Sequence, residues 1–142
     1  MKEARNIAPA VAAIQGKLYV GGSVTSVASS KPTAALEVYT PKLKSWTTLE
    51  PMRLSNYRTT MLGSAVLFQS LYVCGGISAG PASTECQRYN INTNAWTHIE
   101  NMQMGRGGFS MVSDGKKLYA AGSQKQEAQK SIEVYQGGLW KL

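Results

Sequence analysis

The sequence predicts an all-β chain made of three similar four-stranded units, and three observations predict it. First, a short apolar run stopped by glycine occurs three times: Leu18-Tyr19-Val20-Gly21-Gly22, Leu71-Tyr72-Val73-Cys74-Gly75-Gly76 and Leu118-Tyr119-Ala120-Ala121-Gly122. Second, four markers recur in one order: an arginine (Arg5, Arg58, Arg106), the Leu-Tyr run, a tyrosine (Tyr39, Tyr89, Tyr135) and a tryptophan (Trp46, Trp96, Trp140). The arginine precedes the run by 13, 13 and 12 residues, and the tryptophan follows the tyrosine by 7, 7 and 5. Third, the Leu-Tyr runs lie 53 and 47 residues apart, room for four strands of ordinary length with turns between them.

Taken in order, the units span 1–53, 54–103 and 104–142, the last shortened. In the first, an apolar run from Ala8 to Ile14 ends at Gln15-Gly16, and Lys17 to Val20 forms the second run. A small-residue loop from Ser23 to Pro32 leads to a third run from Thr33 to Tyr39; Pro41 and Lys42 turn the chain into a fourth, Ser45 to Leu49. The second unit repeats this at 59–67, 70–74, 83–89 and 95–99, and the third at 108–113, 117–121, 130–135 and 138–142. The second run of each unit is apolar at nearly every position, as in a strand covered on both faces. The fourth alternates around its tryptophan, as in a half-exposed outer strand. Residues Gln124 to Ile132 favour helix by propensity, but register with the other units assigns them to a loop followed by a strand. One four-stranded unit cannot bury both its faces, so the units stack as blades of a propeller.

Composition narrows the class. Apolar residues make up 43% and charged residues 16% of 142 residues, a folded composition without disordered tracts. The net charge of +7 is scattered over the three units as +4, 0 and +3, so no concentrated face for nucleic acid or anionic membrane is expected. No apolar run approaches a membrane span, and the N-terminus lacks the apolar stretch of a signal peptide. With two cysteines, a cytoplasmic location with free thiols is the expectation. Strand pairing about a hairpin centred near Gly80 would set Cys74 opposite Cys86, so a disulfide is geometrically open, with two buried thiols preferred.

The order of arginine, glycine-stopped run, tyrosine and tryptophan, at about 50 residues per unit, resembles the kelch repeat across essentially all of the chain. Leu49-Glu50-Pro51-Met52 and Ile99-Glu100-Asn101-Met102, before each new unit, resemble the kelch units of BTB–kelch proteins. The resemblance implies a partial kelch β-propeller of three blades. The sequence departs from the family in its Ala121-Gly122 pair, its short last hairpin, and in having three units where the family usually has five to seven. Three blades do not close a ring, so either a head-to-tail homodimer of six blades or a piece of a longer chain is expected. Met1 is in register with Met52 and Met102, which sets the expected cut at a blade boundary.

The repeated residues read first as structure. Gly21, Gly22, Gly75, Gly76 and Gly122 supply backbone freedom or close approach, and lead into polar loops rather than the helix a phosphate site needs. The tyrosines and tryptophans are expected between blades. The recurrent arginines are expected to tie carbonyls or an acid, because five donors suit that role. No catalytic set assembles: His98 is the single histidine, and the eight acids are spread singly. Neither a cofactor nor a metal is therefore expected.

The resemblance implies a partner face built from the loops after the glycine pairs (Ser23 to Lys31, Ile77 to Ser83, Ser123 to Gln129) and from the loops entering each blade. Its candidate residues are Asn6, Ser23, Tyr57, Arg58, Thr59, Ser78, Arg106, Ser123 and Gln124. The basic tint from Lys31, Arg58, Arg106 and Lys125 would favour an acidic protein or peptide segment. By resemblance the first reading is a non-catalytic interaction module, as in the substrate-binding part of BTB–kelch cullin ubiquitin-ligase adaptors. An actin-binding cytoskeletal protein is the alternative, and a sugar-isomerising propeller enzyme a more distant one.

Overall fold

The computed structural model describes residues 1–24, 33–54, 60–77, 80–124 and 126–142. Among them run twelve strands in three four-stranded antiparallel sheets. The first blade holds β1 (Ala10–Ile14), β2 (Lys17–Gly21), β3 (Leu36–Thr40) and β4 (Ser45–Leu49). The second holds β5 (Thr60–Leu67), β6 (Ser70–Ile77), β7 (Cys86–Asn90) and β8 (Ala95–Ile99). The third holds β9 (Ser110–Ser113), β10 (Leu118–Ala121), β11 (Ile132–Gln136) and β12 (Leu139–Lys141). Each sheet is a meander in chain order, and β1, β5 and β9 are the innermost strands, packed beside one another.

Register explains why the aromatic slots recur. The third and fourth strands pair so that Tyr39 faces Trp46, Tyr89 faces Trp96 and Tyr135 faces Trp140. The rings of each pair lie 5.1, 5.1 and 5.2 Å apart between centroids, tilted as aromatic pairs prefer. The shorter last turn, Gly137-Gly138, leaves this pairing intact.

Adjacent strand residues point to opposite faces, and the Leu-Tyr run uses this. Leu71 turns to the blade before it, with Tyr89 and Trp96, while Tyr72 turns to the blade after it, with Cys74 and Ala65. At the first junction Tyr19 of blade 1 lies 6.2 Å from Tyr89; at the second Tyr72 lies 6.0 Å from Tyr135. Two cores result, one per junction, with Leu36, Leu71 and Val73 in the first and Leu118, Ala120 and Trp140 in the second. Trp96 also donates its indole N–H to Glu50 O at 2.8 Å, tying blade 2 to the end of blade 1.

Three expectations change. The glycine pair does not stop the strand in blade 2, because β6 runs on to Ile77. Gly75 instead has φ +72°, and a Cβ there would stand 2.3 Å from Arg106 O, so glycine admits the backbone of the next blade's entry loop. In the third unit the strand begins at Ile132, after a loop at 129–131, as register required, yet Gln126–Ala128 forms one 3₁₀ turn, which the local propensity favoured. Finally, Cys74 and Cys86 are register partners as expected, with Cα atoms 4.1 Å apart, but they are joined in a disulfide rather than left as thiols. That removes the cysteine argument for a reducing compartment. Among the described residues no helix is long and apolar enough to cross a membrane.

Candidate interaction face

The described parts of the loops after the second strands and of those that enter each blade are held to one another by a repeated scaffold, in which Asn6 N–H donates to Val24 O, Gly76 N–H to Arg106 O and Gln124 N–H to Gly107 O. Arg106 is fully buried. Its guanidinium donates to Glu133 Oε1 (3.0 Å), Gly122 O (2.9 Å), Ser131 O (3.1 Å) and Ser131 Oγ (2.8 Å). Arg5 repeats this in blade 1, donating to Glu37 Oε2 (2.9 Å) and Gly22 O (2.6 Å). The acid sits on the third strand each time, and accepts from the entry loop as well: Lys2 N–H on Glu37, Gln103 and Met104 N–H on Glu133. Burial by itself pushes the Glu37 carboxyl up, but the Lys2 N–H, the Arg5 hydrogen bond and the Arg5 charge outweigh it and hold it below its ordinary value.

Blade 2 departs from the pattern. Gln87 occupies the position of Glu37 and Glu133, and its Oε1 accepts from Arg53 N–H at 2.9 Å, as the acids accept from their entry loops. Its Nε2 is buried with no hydrogen-bond partner among the described residues. The matching arginine, Arg58, lies outside the described residues.

Serine clamps add to the scaffold. Ser23 Oγ accepts from Ile7 N–H (2.9 Å) and donates to Ile7 O (2.7 Å). Ser123 holds Gly107 in the same two-sided way at 3.3 and 3.4 Å. Ser64 does likewise for Val11, at 3.1 Å each way, on the inner edge of β1. Each clamp satisfies a backbone pair that the strand ladder leaves open.

The expected partner-facing residues divide accordingly. Gln124 and Asn6 are exposed. Ser23 and Arg106 are turned inward with no exposed surface, because the scaffold consumes their polar atoms. Ser123 is half-buried in its clamp. Tyr57, Arg58, Thr59 and Ser78 lie outside the described residues, as do Lys31 and Lys125.

Between blades 2 and 3 the same loops enclose a cleft of about 440 Å³, lined by Pro81, Ala82, Gly105, Gln124, Gln126 and Glu127. Of these, single-residue reasoning singled out Gln124 alone. Pro81, Ala82, Gln126 and Glu127 fall in the loop ranges drawn from the resemblance, but nothing in their identities marks them. Gly105 is there because Ala82 O approaches within 2.3 Å of where its Cβ would be. The 3₁₀ turn projects Gln126 and Glu127 outward while burying Ala128, and Ala128 O accepts from Arg106 at 3.3 Å. The buried arginine thus shapes the wall of the cleft without touching its contents. Chemically the lining offers amide donors and acceptors and one carboxylate, on a small apolar floor. His98 stands exposed on β8, and among the described residues no group of three His, Cys, Asp or Glu side chains is placed to hold a metal.

Comparison with known proteins matches residues 58–103 to the Kelch motif family. Kelch-like protein 28 of Homo sapiens is 34% identical over a stretch covering 62% of this chain and 16% of that protein. Kelch-like protein 40 of Xenopus laevis is 24% identical, covering 74% and 17%. Kelch domain-containing protein 10 of Homo sapiens is 29% identical, covering 99% and 33%. The chain therefore spans between about a sixth and a third of the length of these relatives. With its blades, its repeated markers and these matches together, the chain is similar to kelch-repeat proteins, and its residues 58–103 match the Kelch motif.

Proposed function

We propose that the chain is a non-catalytic protein-interaction module of the substrate-recognising kind found in BTB–kelch cullin ubiquitin-ligase adaptors, and that its partner docks on the cleft between blades 2 and 3. The cleft carries this reading: it is concave, sits where loops of two blades converge, and presents Gln124 and Gln126 amides that can pair with a polypeptide backbone. Lys31, Arg58 and Lys125 lie in sequence within or beside these loops and favour an acidic segment, against which Glu127 works. The working location is the cytoplasm, where the Cys74–Cys86 pair would meet reductant while staying buried.

The test is affinity capture with mass spectrometry, run in parallel on the wild type, a Gln126→Trp variant that fills the cleft, and a His98→Ala variant on the outer strand. The expected result is a set of proteins, cullin among them if the chain works within an adaptor, that Gln126→Trp loses in part and His98→Ala keeps. A capture set that Gln126→Trp leaves unchanged overturns the cleft; actin as the dominant capture overturns the adaptor reading.

A further inference from the structure

The turn that joins β5 to β6 is built from residues ill suited to its shape. Leu67 pairs with Ser70, so Phe68 and Gln69 make the whole turn, and both have left-handed backbone, φ +47° and +58°. Such a turn favours Asn or Asp followed by Gly. Blade 1 follows that preference in part, with Gly16 at the second position of its matching turn. A bulky side chain on left-handed backbone is strained, and Phe68 gains nothing back by packing, because it is 73% exposed. Conformation and solvation both oppose phenylalanine here, so its use lies outside the chain.

Phe68 has charged company. Val11 N–H bonds Ser64 Oγ at 3.1 Å, and Gly108 N–H bonds Met61 O at 2.9 Å. These partners are 53 and 47 residues apart, the spacing of the Leu-Tyr runs themselves. The inner strands β1, β5 and β9 therefore lie level, and their turns emerge side by side with Phe68 in the middle. In each meander the turn from third to fourth strand leaves the same end of the sheet. On these six turns and the residues flanking them, the charged groups are Lys17, Lys42, Lys44, Lys116 and Lys117 against Asp114. Asp114 is turned to its own hairpin: Oδ1 accepts from Lys116 and Lys117 N–H at 2.8 Å each, and Oδ2 from the Tyr119 hydroxyl at 3.0 Å. Leu43, on the β3–β4 turn between Lys42 and Lys44, is also 73% exposed. Charge that is scattered along the sequence is thus collected by the fold, around the two most exposed large apolar side chains among the described residues.

We infer that this end of the blades docks on an anionic membrane surface, Phe68 and Leu43 entering the headgroup layer while the lysines meet lipid phosphates. Charge complementarity selects the anionic surface, since each lysine close to it adds to the attraction. Shape selects a lipid one. Phe68 and Leu43 stand on separate convex turns, for which a protein partner would need two matched pockets, whereas a fluid bilayer conforms to both. Apolar area entering the interface and charge beside it act together in such binding, and lysine stems reach the phosphates with their heads still in water. The cleft between blades 2 and 3 is built from loops at the other ends of these strands, so a bound membrane leaves it open to its partner.

The test is co-sedimentation of the chain with phosphatidylcholine vesicles, with and without about a third phosphatidylserine, in about 0.1 M salt. The chain is expected to bind the phosphatidylserine vesicles, to leave phosphatidylcholine vesicles in the supernatant unbound, and to be released as salt rises. Phe68→Asn suits left-handed backbone, so its urea midpoint should equal or exceed the wild type's while its vesicle affinity falls about tenfold. The pair Lys116→Glu with Lys117→Glu should lose at least as much, and Gln126→Trp in the cleft should bind as the wild type does. Absence of binding to phosphatidylserine vesicles overturns the inference, as does binding that Phe68→Asn or the lysine reversals leave unchanged. A lower urea midpoint in Phe68→Asn overturns it too, by giving the phenylalanine a structural role. Loss of captured proteins in Phe68→Asn, without vesicle binding by the wild type, assigns the turn to a protein partner instead. Vesicle binding is read without any partner for the cleft, so its failure leaves the proposed function standing, and failure of the capture experiment leaves the membrane contact standing.

Discussion

Arg106 and Glu133 form an ion pair at 3.0 Å with neither side chain exposed to solvent, and the pair is what joins the entry loop of blade 3 to its third strand. A buried charge that loses its partner is left uncompensated. Glu133→Gln or Arg106→Met is therefore expected to cost about 3–5 kcal/mol, read as a lower urea midpoint at unchanged slope. The double variant Arg106→Met with Glu133→Leu should cost less than the sum of the two single changes. Additive losses would show that the two residues act separately.

Gly75 separates close approach from backbone freedom. Both Gly75 and Gly137 have positive φ, +72° and +62°. An added Cβ would meet the backbone oxygen of Arg106 at 2.3 Å from Gly75, whereas at Gly137 it would enter open space. Gly137→Ala is expected to lose about 1 kcal/mol from the left-handed backbone alone. Gly75→Ala must also push away Arg106 O, so its loss should be clearly larger in the same urea titration. Equal losses would remove the close-approach explanation of the glycine pair.

The Cys74–Cys86 bridge closes a short loop that carries Pro81 and Ala82 to the cleft. Thiol titration of the unfolded, unreduced chain should find no free thiol, and full reduction should release two. Closing a loop of about 15 residues contributes on the order of 3 kcal/mol, so Cys74→Ala with Cys86→Ala is expected to lose up to that amount and to stay folded. Two free thiols without reductant would contradict the bridge.

The Arg5–Glu37 pair gives stability a pH dependence with a defined sign. The folded carboxyl lies below its ordinary value of 4.5, so the unfolded chain binds the proton more readily. Its contribution is complete above about pH 4.5 and is lost as the pH falls through the lower folded value. Between neutral pH and about pH 3 the wild type should therefore lose more of its urea resistance than Glu37→Gln does. An equal loss in both would show that other carboxylates carry the acid response.

Most of the fold was legible because each recurring residue has one dominant job. Leu and Tyr adjacent in a strand must face opposite sides, so the Leu-Tyr run announces a strand buried twice. Tyr and Trp seven residues apart across a tight turn are cross-strand partners, which Tyr89–Trp96 and Tyr39–Trp46 are. Strand ends were harder: nothing in Gly75-Gly76 says whether positive φ ends the ladder or bends it, and β6 continues through both. The site was less legible than the fold. Arginine and serine on a loop look like contacts until their hydrogen bonds are counted, and Arg106 and Ser23 spend theirs inside. Pro81, Ala82 and Glu127 reach the cleft through loop geometry set by the disulfide, the 3₁₀ turn and the buried arginine, none of which a local pattern encodes.

Where the partner sits decides between the cleft and every other surface of the blades. Amide hydrogen exchange of the chain, alone and with the partner recovered by capture, reads this directly. Slower exchange is predicted at 80–85, 101–109 and 126–131, with no change at the opposite hairpin ends 91–94 and 114–117. Protection confined to those opposite ends, or to the outer strands β4, β8 and β12, would contradict docking on the cleft.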